Sequence, residues 1–388
     1  MATQPQTRPL DTERLLAAAR EHTGLSDFGD PAMFEPLRIL VDALAGEAKL
    51  TDAGTARVAD SIVATLANRL QVEDYLKQKP ELLERPIDKP LFMFGLPRSG
   101  TTLAINLPAS DPARRTFLRW EAQSPVPPAA AGALRSDPRY HAEQAKLEMS
   151  LKYMPHIAAM HYEDADSPTE CQFAMSPTFV AQVYDSQYDI PSYSRWFLHE
   201  ADYLPSFRWH KRLMQLLQEN NPGRWTFKNP WHPLYLSALT RVYPDAQLGM
   251  THRDPADVVG SACSLCYHVR KIYSDDVDPV AVGRMLLETF DTMIERLIAF
   301  EERGGTVHHI QYDALMKNPI GEMRRLYARY DEPFTTGVEA AMQATLDANP
   351  KGKHGRHEYS LEDYGLTREG VHAHFRDYME RYGIPAKG

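Results

Sequence analysis

One short segment combines a cation, three hydroxyl groups and two glycines, a set of groups suited to binding a phosphate. Residues Leu91–Thr102 read LFMFGLPRSGTT. Gly95 and Gly100 bracket four residues, which is the glycine spacing of a Walker A loop. Such glycines let backbone N–H groups turn toward phosphate oxygens, and the N-terminus of the following helix adds partial positive charge. The segment therefore predicts a phosphate-binding loop.

The loop lacks the lysine of a Walker A motif. Thr101 and Thr102 stand where G-x-x-x-x-G-K-[ST] has its lysine and its magnesium-binding hydroxyl, and the cation lies inside the loop as Arg98. The lysine and the metal belong to triphosphate chemistry, so their replacement argues against a magnesium-dependent NTPase. We expect the loop to bind a phosphate other than that of ATP.

Two later segments carry polar groups directly after predicted strands. Trp225–His232 reads WTFKNPWH, with Lys228 after an apolar run. Gln247–Ser261 reads QLGMTHRDPADVVGS, which predicts a strand, an HRDP turn and a helix, with Arg253 and Ser261 eight positions apart. Because the carboxyl ends of parallel strands meet at one edge of a sheet, these groups are expected to lie near the loop.

In these three ordered segments, from about residue 90 to 270, the chain resembles the bacterial sulfotransferases that use 3′-phosphoadenosine 5′-phosphosulfate (PAPS). GLPRSGTT is similar to their 5′-phosphosulfate loop, and the late segment Lys351–Gly365 to their basic loop that closes over the nucleotide. The resemblance implies transfer of a sulfuryl group from PAPS to a hydroxyl of a small, partly apolar organic acceptor. It also implies release of adenosine 3′,5′-bisphosphate and a mechanism that requires no metal.

The resemblance also assigns roles to individual residues. Arg253 and Ser261 are expected to hold the 3′-phosphate, and Lys228 to neutralise the leaving phosphate oxygen. The expected nucleotide-binding residues are Arg98, Ser99, Gly100, Thr101, Thr102, Arg253, Ser261, Lys351, Lys353 and Arg356.

Three residues are candidates for the base that deprotonates the acceptor. His232 follows Lys228 at short range, as the catalytic histidine does in cytosolic sulfotransferases, but with two extra residues between them. Glu121 lies about as far past the loop as the glutamate of tyrosylprotein sulfotransferases, and Glu170 precedes a predicted helix. Histidine titrates near neutral pH without tuning, so His232 ranks first, Glu121 second and Glu170 third. Glu121 has a structural alternative, an ion pair with Arg115 or Arg119.

Two other functions stay open at this level. A P-loop nucleotide kinase or NTPase is disfavoured by the missing lysine, and binding of magnesium-ATP in preference to PAPS would support it. A non-catalytic nucleotide-binding relative is disfavoured by the presence of Arg98, Lys228 and Arg253.

The elements that position these groups alternate between strand and helix. Leu91–Phe94 is a continuous apolar run, typical of a central strand buried on both faces. Further strands at Trp225–Lys228, Gln247–Thr251 and Thr306–Gln311, with helices between them, predict an α/β fold with a P-loop-like, doubly wound parallel sheet. Pro108 is expected to end or kink the helix after the loop.

We expect one domain over residues 1–388. It has an N-terminal helical cover at 1–86, an α/β core at 90–330 and a closing segment at 331–388. Within the core, a mostly helical layer rich in aromatic residues at about 138–220 is where an organic acceptor would sit. Helical spacing of apolar residues marks Glu13–Arg20, Pro31–Ala45 and Thr51–Tyr75 in the cover, with Thr51 or Asp52 as a cap.

Composition narrows the class of protein. With 43% hydrophobic residues, the chain can bury a large core, and a net charge of −9 argues against a nucleic-acid partner. No apolar run reaches 18 residues and the N-terminus lacks a signal-peptide layout, which predicts a soluble cytoplasmic protein without a membrane span. Cys263 and Cys266 form a C-x-x-C, but they fall in a predicted helix without a second ligand pair, so a metal or redox role is not expected. Neither the acceptor nor the oligomeric state follows from these residues.

Overall fold

The computed structural model describes residues 10–153, 163–349 and 359–387. In these ranges five strands form one parallel sheet in the order β2-β3-β1-β4-β5. The strands are β1 Leu91–Gly95, β2 Arg114–Thr116, β3 Arg224–Lys228, β4 Gln247–His252 and β5 His308–Gln311. Helices flank the sheet, which confirms the α/β class expected from the alternating pattern.

The predicted central strand, β1, lies between β3 and β4. Its side chains alternate between two apolar clusters: Leu91 and Met93 pack with the smaller cluster, and Phe92 and Phe94 with the larger one. None of the four is more than 1% exposed. The continuous apolar run is therefore explained by burial on both faces of the sheet.

The N-terminal residues form three helices that pack on the larger apolar cluster: α1 Thr12–Thr23, α2 Phe34–Gly46 and α3 Asp52–Gln78. The Thr51 hydroxyl caps α3 by accepting a hydrogen bond from the Gly54 N–H at 2.9 Å. All three helices expected in this region are present. Their apolar residues share a cluster with Phe92 of β1 and Tyr378 near the C-terminus.

The remaining helices connect and cover the strands. They are α4 Thr101–Ala109, α5 Arg119–Gln123, α6 Pro138–Tyr153, α7 Cys171–Met175, α8 Gln182–Gln187, α9 Pro191–His199, α10 Leu204–Leu217, α11 Leu236–Val242, α12 Pro255–Arg270, α13 Pro279–Glu302, α14 Tyr312–Lys317, α15 Pro319–Arg329, α16 Thr336–Ala348, α17 Arg368–His374 and α18 Arg376–Tyr382.

Two local features test the expectations from sequence. Helix α4 ends one residue after Pro108, as the missing proline N–H predicts. The closing segment expected at 331–388 ends in two short helices, α17 and α18, that meet at Phe375. The edge strand β2 was not predicted, because three residues with the sequence RRT carry no apolar pattern. No described helix has the length and apolar character needed to cross a membrane.

Candidate active site

A cavity of about 550 Å³, here called the main cavity, opens at the carboxyl ends of the strands. The loop after β1 contributes Arg98, Gly100, Thr101 and Thr102 to its lining, and the turn after β4 contributes Arg253. This is the edge of a parallel sheet where ligands of α/β proteins bind. The structure thus brings together groups from all three segments picked out in the sequence, since Pro230 and Trp231 of the second segment also line the cavity, and Glu170 joins them.

Backbone conformation explains both glycines of the loop. Gly100 has φ +97°, and a Cβ atom there would come within 2.9 Å of the Tyr312 ring. Gly95 has φ +152°, and its Cβ atom would lie 2.4 Å from the Thr251 hydroxyl. A side chain at either position would therefore be strained and would collide with a neighbouring element.

The loop is fixed to β4 and α12 by side-chain hydrogen bonds. The hydroxyls of Ser99 and Thr251 lie 2.8 Å apart, and Arg98 donates from Nε to the Ser261 hydroxyl at 3.1 Å. Arg253 donates to the Arg98 carbonyl oxygen at 3.1 Å. Both residues expected at the 3′-phosphate, Arg253 and Ser261, are therefore in direct contact with the loop.

The electrostatics of this region favour an anion. Burial, and then repulsion by the Arg253 guanidinium, lowers the pKa of Arg98. Arg253 is held by an ion pair with Asp257 at 3.1 Å, yet its Nε is buried without a hydrogen-bond partner in the described ranges. An oxyanion would neutralise the charge of these two neighbouring guanidinium groups and could accept a hydrogen bond from the unpartnered Nε of Arg253. The residues therefore fit a phosphorylated ligand.

Tyr312 is a residue of this site that the sequence reasoning missed. It begins α14 directly after β5, its ring lines the main cavity, and the Arg253 guanidinium lies 4.5 Å from the ring centroid. Its place immediately after a predicted strand was the available signal, because that position falls at the ligand-binding edge of a parallel sheet.

Lys228 and Glu170 form a buried ion pair at the end of β3. The ammonium lies 3.1 Å from the Glu170 carboxylate, and neither side chain is more than 8% exposed. Gln172 also donates to this carboxylate. Glu170 lines the main cavity, whereas Lys228 lies behind it and contacts the carboxylate.

His232 is buried among apolar residues of the core and does not line the main cavity. Its side chain is fully buried, and four aromatic rings lie 5.2–6.2 Å from the imidazole centroid: Phe92, Phe94, Phe207 and Tyr235. Both ring nitrogens lack partners in the described ranges. Burial, and then repulsion by His210, lowers the pKa of His232 well below its ordinary value. This placement argues against the first-ranked base.

Glu121 is also buried, but in an ion pair. Its carboxylate accepts two hydrogen bonds from the Arg115 guanidinium, at 2.6 and 3.2 Å, and one from the Leu118 N–H. It does not line the main cavity. The structural alternative stated for Glu121, a pair with Arg115, is what the geometry shows.

The three basic residues expected to close over the nucleotide, Lys351, Lys353 and Arg356, lie outside the described residues. Nearby described residues do contact the site. The Tyr359 hydroxyl donates to the Asp257 carbonyl oxygen, and Arg368 pairs with the Asp257 carboxylate at 3.0 Å.

The far side of the main cavity is apolar. Residues from the predicted acceptor layer contribute to it, including Leu147, Leu151, Phe173 and Val183. Side chains outside that layer also take part: Trp231, Leu265, Val269, Ile272 and Leu286. The lining therefore combines the cationic loop with mainly apolar side chains, among which Glu170 and the ion pair of Arg119 with Glu163 are charged.

Comparisons with known proteins agree with this geometry. The sequence model of the sulfotransferase family matches residues 90–336. The crystal structure of sulfotransferase STF9 from Mycobacterium avium is 34% identical, with a TM-score of 0.91 and 100% of both chains covered. That of sulfotransferase STF1 from Mycobacterium tuberculosis H37Rv is 30% identical, with a TM-score of 0.85, covering 95% of this chain and all of the other. No match was found among curated proteins.

Proposed function

The chain belongs to the sulfotransferase family, and we propose that it transfers a sulfuryl group from PAPS to the hydroxyl of a small organic acceptor. The observation that carries this proposal is the main cavity itself. It joins a cationic phosphate loop to an apolar chamber and has the carboxylate of Glu170 in its lining. Such a cavity suits a charged donor at one end and an uncharged acceptor at the other.

The donor is proposed to bind at the cationic end. The loop N–H groups, Thr101 and Thr102 contact the 5′-phosphosulfate, with Ser99 and Arg98 beside them. Arg253 and Ser261 hold the 3′-phosphate, for which the unsatisfied Nε of Arg253 is an available donor. The residues Lys351, Lys353 and Arg356 remain proposed as a closing segment over the nucleotide.

We propose Glu170 as the general base, in place of the higher-ranked His232 and Glu121. In the transfer, the bond between sulfur and the bridging phosphate oxygen breaks, and a bond forms between sulfur and the acceptor oxygen. Glu170 takes the proton of the acceptor hydroxyl, and adenosine 3′,5′-bisphosphate leaves. Of the three candidates only Glu170 lines the main cavity, and a general base must reach the proton that it removes.

Lys228 is proposed to act through the positive charge of its ammonium group. Its ammonium lies 3.1 Å from the Glu170 carboxylate and holds that side chain in position at the lining of the main cavity. From behind Glu170, its positive charge also adds to the electrostatic field that opposes the charge growing on the leaving phosphate oxygen, an effect that is larger in the transition state.

The test compares nucleotides first and then turnover. Calorimetry should show much tighter binding of adenosine 3′,5′-bisphosphate than of 5′-AMP, and Arg253→Ala should remove about 1.5–3 kcal/mol of that difference. Arg241→Ala, at an exposed arginine of α11, is the control and should leave the difference intact. Labelled PAPS with a panel of alcohols and phenols should yield sulfated products by mass. Equal affinity for the two nucleotides, or preferential binding of magnesium-ATP, would contradict the proposal.

A further inference from the structure

A second cavity, of about 390 Å³, lies directly against the main cavity. Five residues line both of them: Arg119, Phe173, Val183, Gln187 and Tyr273. Because the same side chains face both spaces, the partition between the cavities is a single layer of side chains. No residue assigned to the donor lines the second cavity.

Phe173 stands in this partition next to the proposed base. It follows Glu170 by three residues, and its N–H donates to the Glu170 carbonyl oxygen at 3.0 Å. The guanidinium of Arg119 lies 5.2 Å from the centroid of its half-buried ring. An acceptor whose hydroxyl reaches Glu170 therefore lies within about one helical turn of the partition.

The size of the main cavity makes the second one relevant to the acceptor. Ligand pockets usually hold one drug-sized molecule in about 300–1,000 Å³. The main cavity, with 550 Å³, has to hold the phosphosulfate end of the donor as well as the acceptor. An acceptor longer than the remaining space extends past Phe173 into the second cavity.

The second cavity has a hydrogen-bonding wall on α3. Ser61, Thr65 and Asn68 line it and are spaced by four and three residues, so they share one face of the helix. Trp209 lines it too, and its buried indole N–H has no hydrogen-bond partner in the part of the chain that the structure describes. The Thr65 hydroxyl already donates to the Ser61 carbonyl oxygen and the Asn68 amide to the Gln123 carbonyl oxygen. The Ser61 hydroxyl and the acceptor positions of Thr65 and Asn68 therefore suit a ligand hydroxyl, which both donates and accepts.

The charges in this cavity are already balanced. Arg119 and Lys146, the cations of its lining, both pair with the buried carboxylate of Glu143, at 3.3 and 3.7 Å. Arg119 also pairs with Glu163 at 3.2 Å. An anionic group would have to compete with these carboxylates, so the chemistry favours an uncharged polar group.

We infer that the acceptor is an elongated molecule with three parts: a hydroxyl that reaches Glu170, an apolar middle that passes Phe173, and an uncharged polar end in the second cavity. This inference rests on the proposed sulfuryl transfer and adds the class of acceptor to it. The second cavity is then a distal acceptor subsite, and α3 of the N-terminal region takes part in substrate recognition.

The test fills the second cavity without touching the main one. Ala64 lies on the exposed side of α3 and lines only the second cavity, so Ala64→Trp places an indole there. Ala56 is exposed on the same helix and lines neither cavity, so Ala56→Trp is the matched control. Binding of decanediol and butanediol is measured by calorimetry with adenosine 3′,5′-bisphosphate present, and kcat/KM for both diols is measured with PAPS.

Ala64→Trp should weaken decanediol binding and lower its kcat/KM by about tenfold or more, since exclusion of only two methylene groups has that effect. Butanediol should change by less than about twofold, and Ala56→Trp should alter neither diol. Decanediol should bind the unmodified protein more tightly than decanol, which lacks the second hydroxyl. Equal losses for the long and the short diol, or unchanged decanediol binding in Ala64→Trp, would overturn the inference. If Ala64→Trp weakens decanediol binding but no sulfated product forms with the unmodified protein, the proposed transfer is refuted and the distal subsite stands.

Discussion

Replacement of Glu170 by glutamine is the sharpest test of the proposed chemistry. The amide keeps the size of the side chain and can still contact Gln172 and Lys228, but it cannot take a proton. General base catalysis contributes about 10²–10⁴ in rate, which corresponds to about 3–5 kcal/mol of activation free energy. We therefore expect kcat with an alcohol acceptor to fall by about 10²–10⁴, with a smaller fall for acidic phenols.

The same change also removes one partner of a buried ion pair, so stability has to be separated from catalysis. Loss of one partner of such a pair costs about 3–5 kcal/mol. Glu121→Gln is a matched control, because Glu121 is equally buried and pairs with Arg115 at 2.6 Å. Arginine cannot lose its proton as lysine can, so the control should be destabilised at least as much.

The assay measures kcat with PAPS and a simple alcohol, the affinity for adenosine 3′,5′-bisphosphate, and the free energy of unfolding for both variants. We expect both to bind the nucleotide, both to lose stability, and only Glu170→Gln to lose turnover. If Glu121→Gln loses as much kcat while still folded at the assay temperature, or if Glu170→Gln keeps full activity on alcohols, the reasoning from cavity access is wrong.

Three further predictions concern the surrounding residues. Burial lowers the pKa of His232 well below its ordinary value of 6.5, so below about pH 6.5 the unfolded chain binds a proton that the folded chain does not. Proton uptake by the unfolded chain therefore lowers the free energy of unfolding as the pH falls, and this effect is absent above about pH 6.5. His232→Phe should therefore lower the pH midpoint of acid unfolding followed by circular dichroism and keep turnover, and an unchanged midpoint or lost activity would contradict this. Lys228→Met should lower kcat by about 10²–10³ while nucleotide affinity in calorimetry changes by less than about tenfold, and the reverse pattern would assign it to binding alone. Gly100→Ala should weaken adenosine 3′,5′-bisphosphate binding by about tenfold or more, because φ is +97° and the new Cβ atom would collide with Tyr312. Gly132→Ala, at φ +73° with no atom within 4 Å, carries the backbone penalty without the collision and should bind normally.

Local patterns were sufficient for the α/β class, for four of the five strands and for the backbone turns at the two loop glycines. The apolar run at Leu91–Phe94 predicted a strand buried on both faces, and the structure has it at the centre of the sheet. The glycine spacing predicted a loop whose backbone N–H groups turn inward at the glycines, and both glycines have positive φ. These features follow from burial and backbone conformation within a few residues, which one segment of sequence expresses on its own.

The position of each candidate base depends instead on contacts between distant segments. His232 was ranked first because it follows Lys228 closely, but the short helical turn at His232–Tyr235 packs its ring against Phe92 and Phe207 in the core. Glu170 was ranked last, and it pairs with Lys228 across 58 positions of sequence through an isolated parallel bridge. Spacing along the chain contains no information about either outcome.

The sequence by itself therefore determined four of the five strands, the turns at the loop glycines and the cationic residues that follow the strands, because each depends on local burial or on a strand ending at a known edge. Only the tertiary structure decided which carboxylate reaches the main cavity, that Tyr312 stacks on Arg253, and that α3 lines a second cavity beside it. Those outcomes depend on which side chains meet after packing. Packing brings together residues that are far apart in sequence, because burial of apolar area stabilises the fold whatever the distance along the chain. Charged groups that become buried need partners, which also come from distant segments.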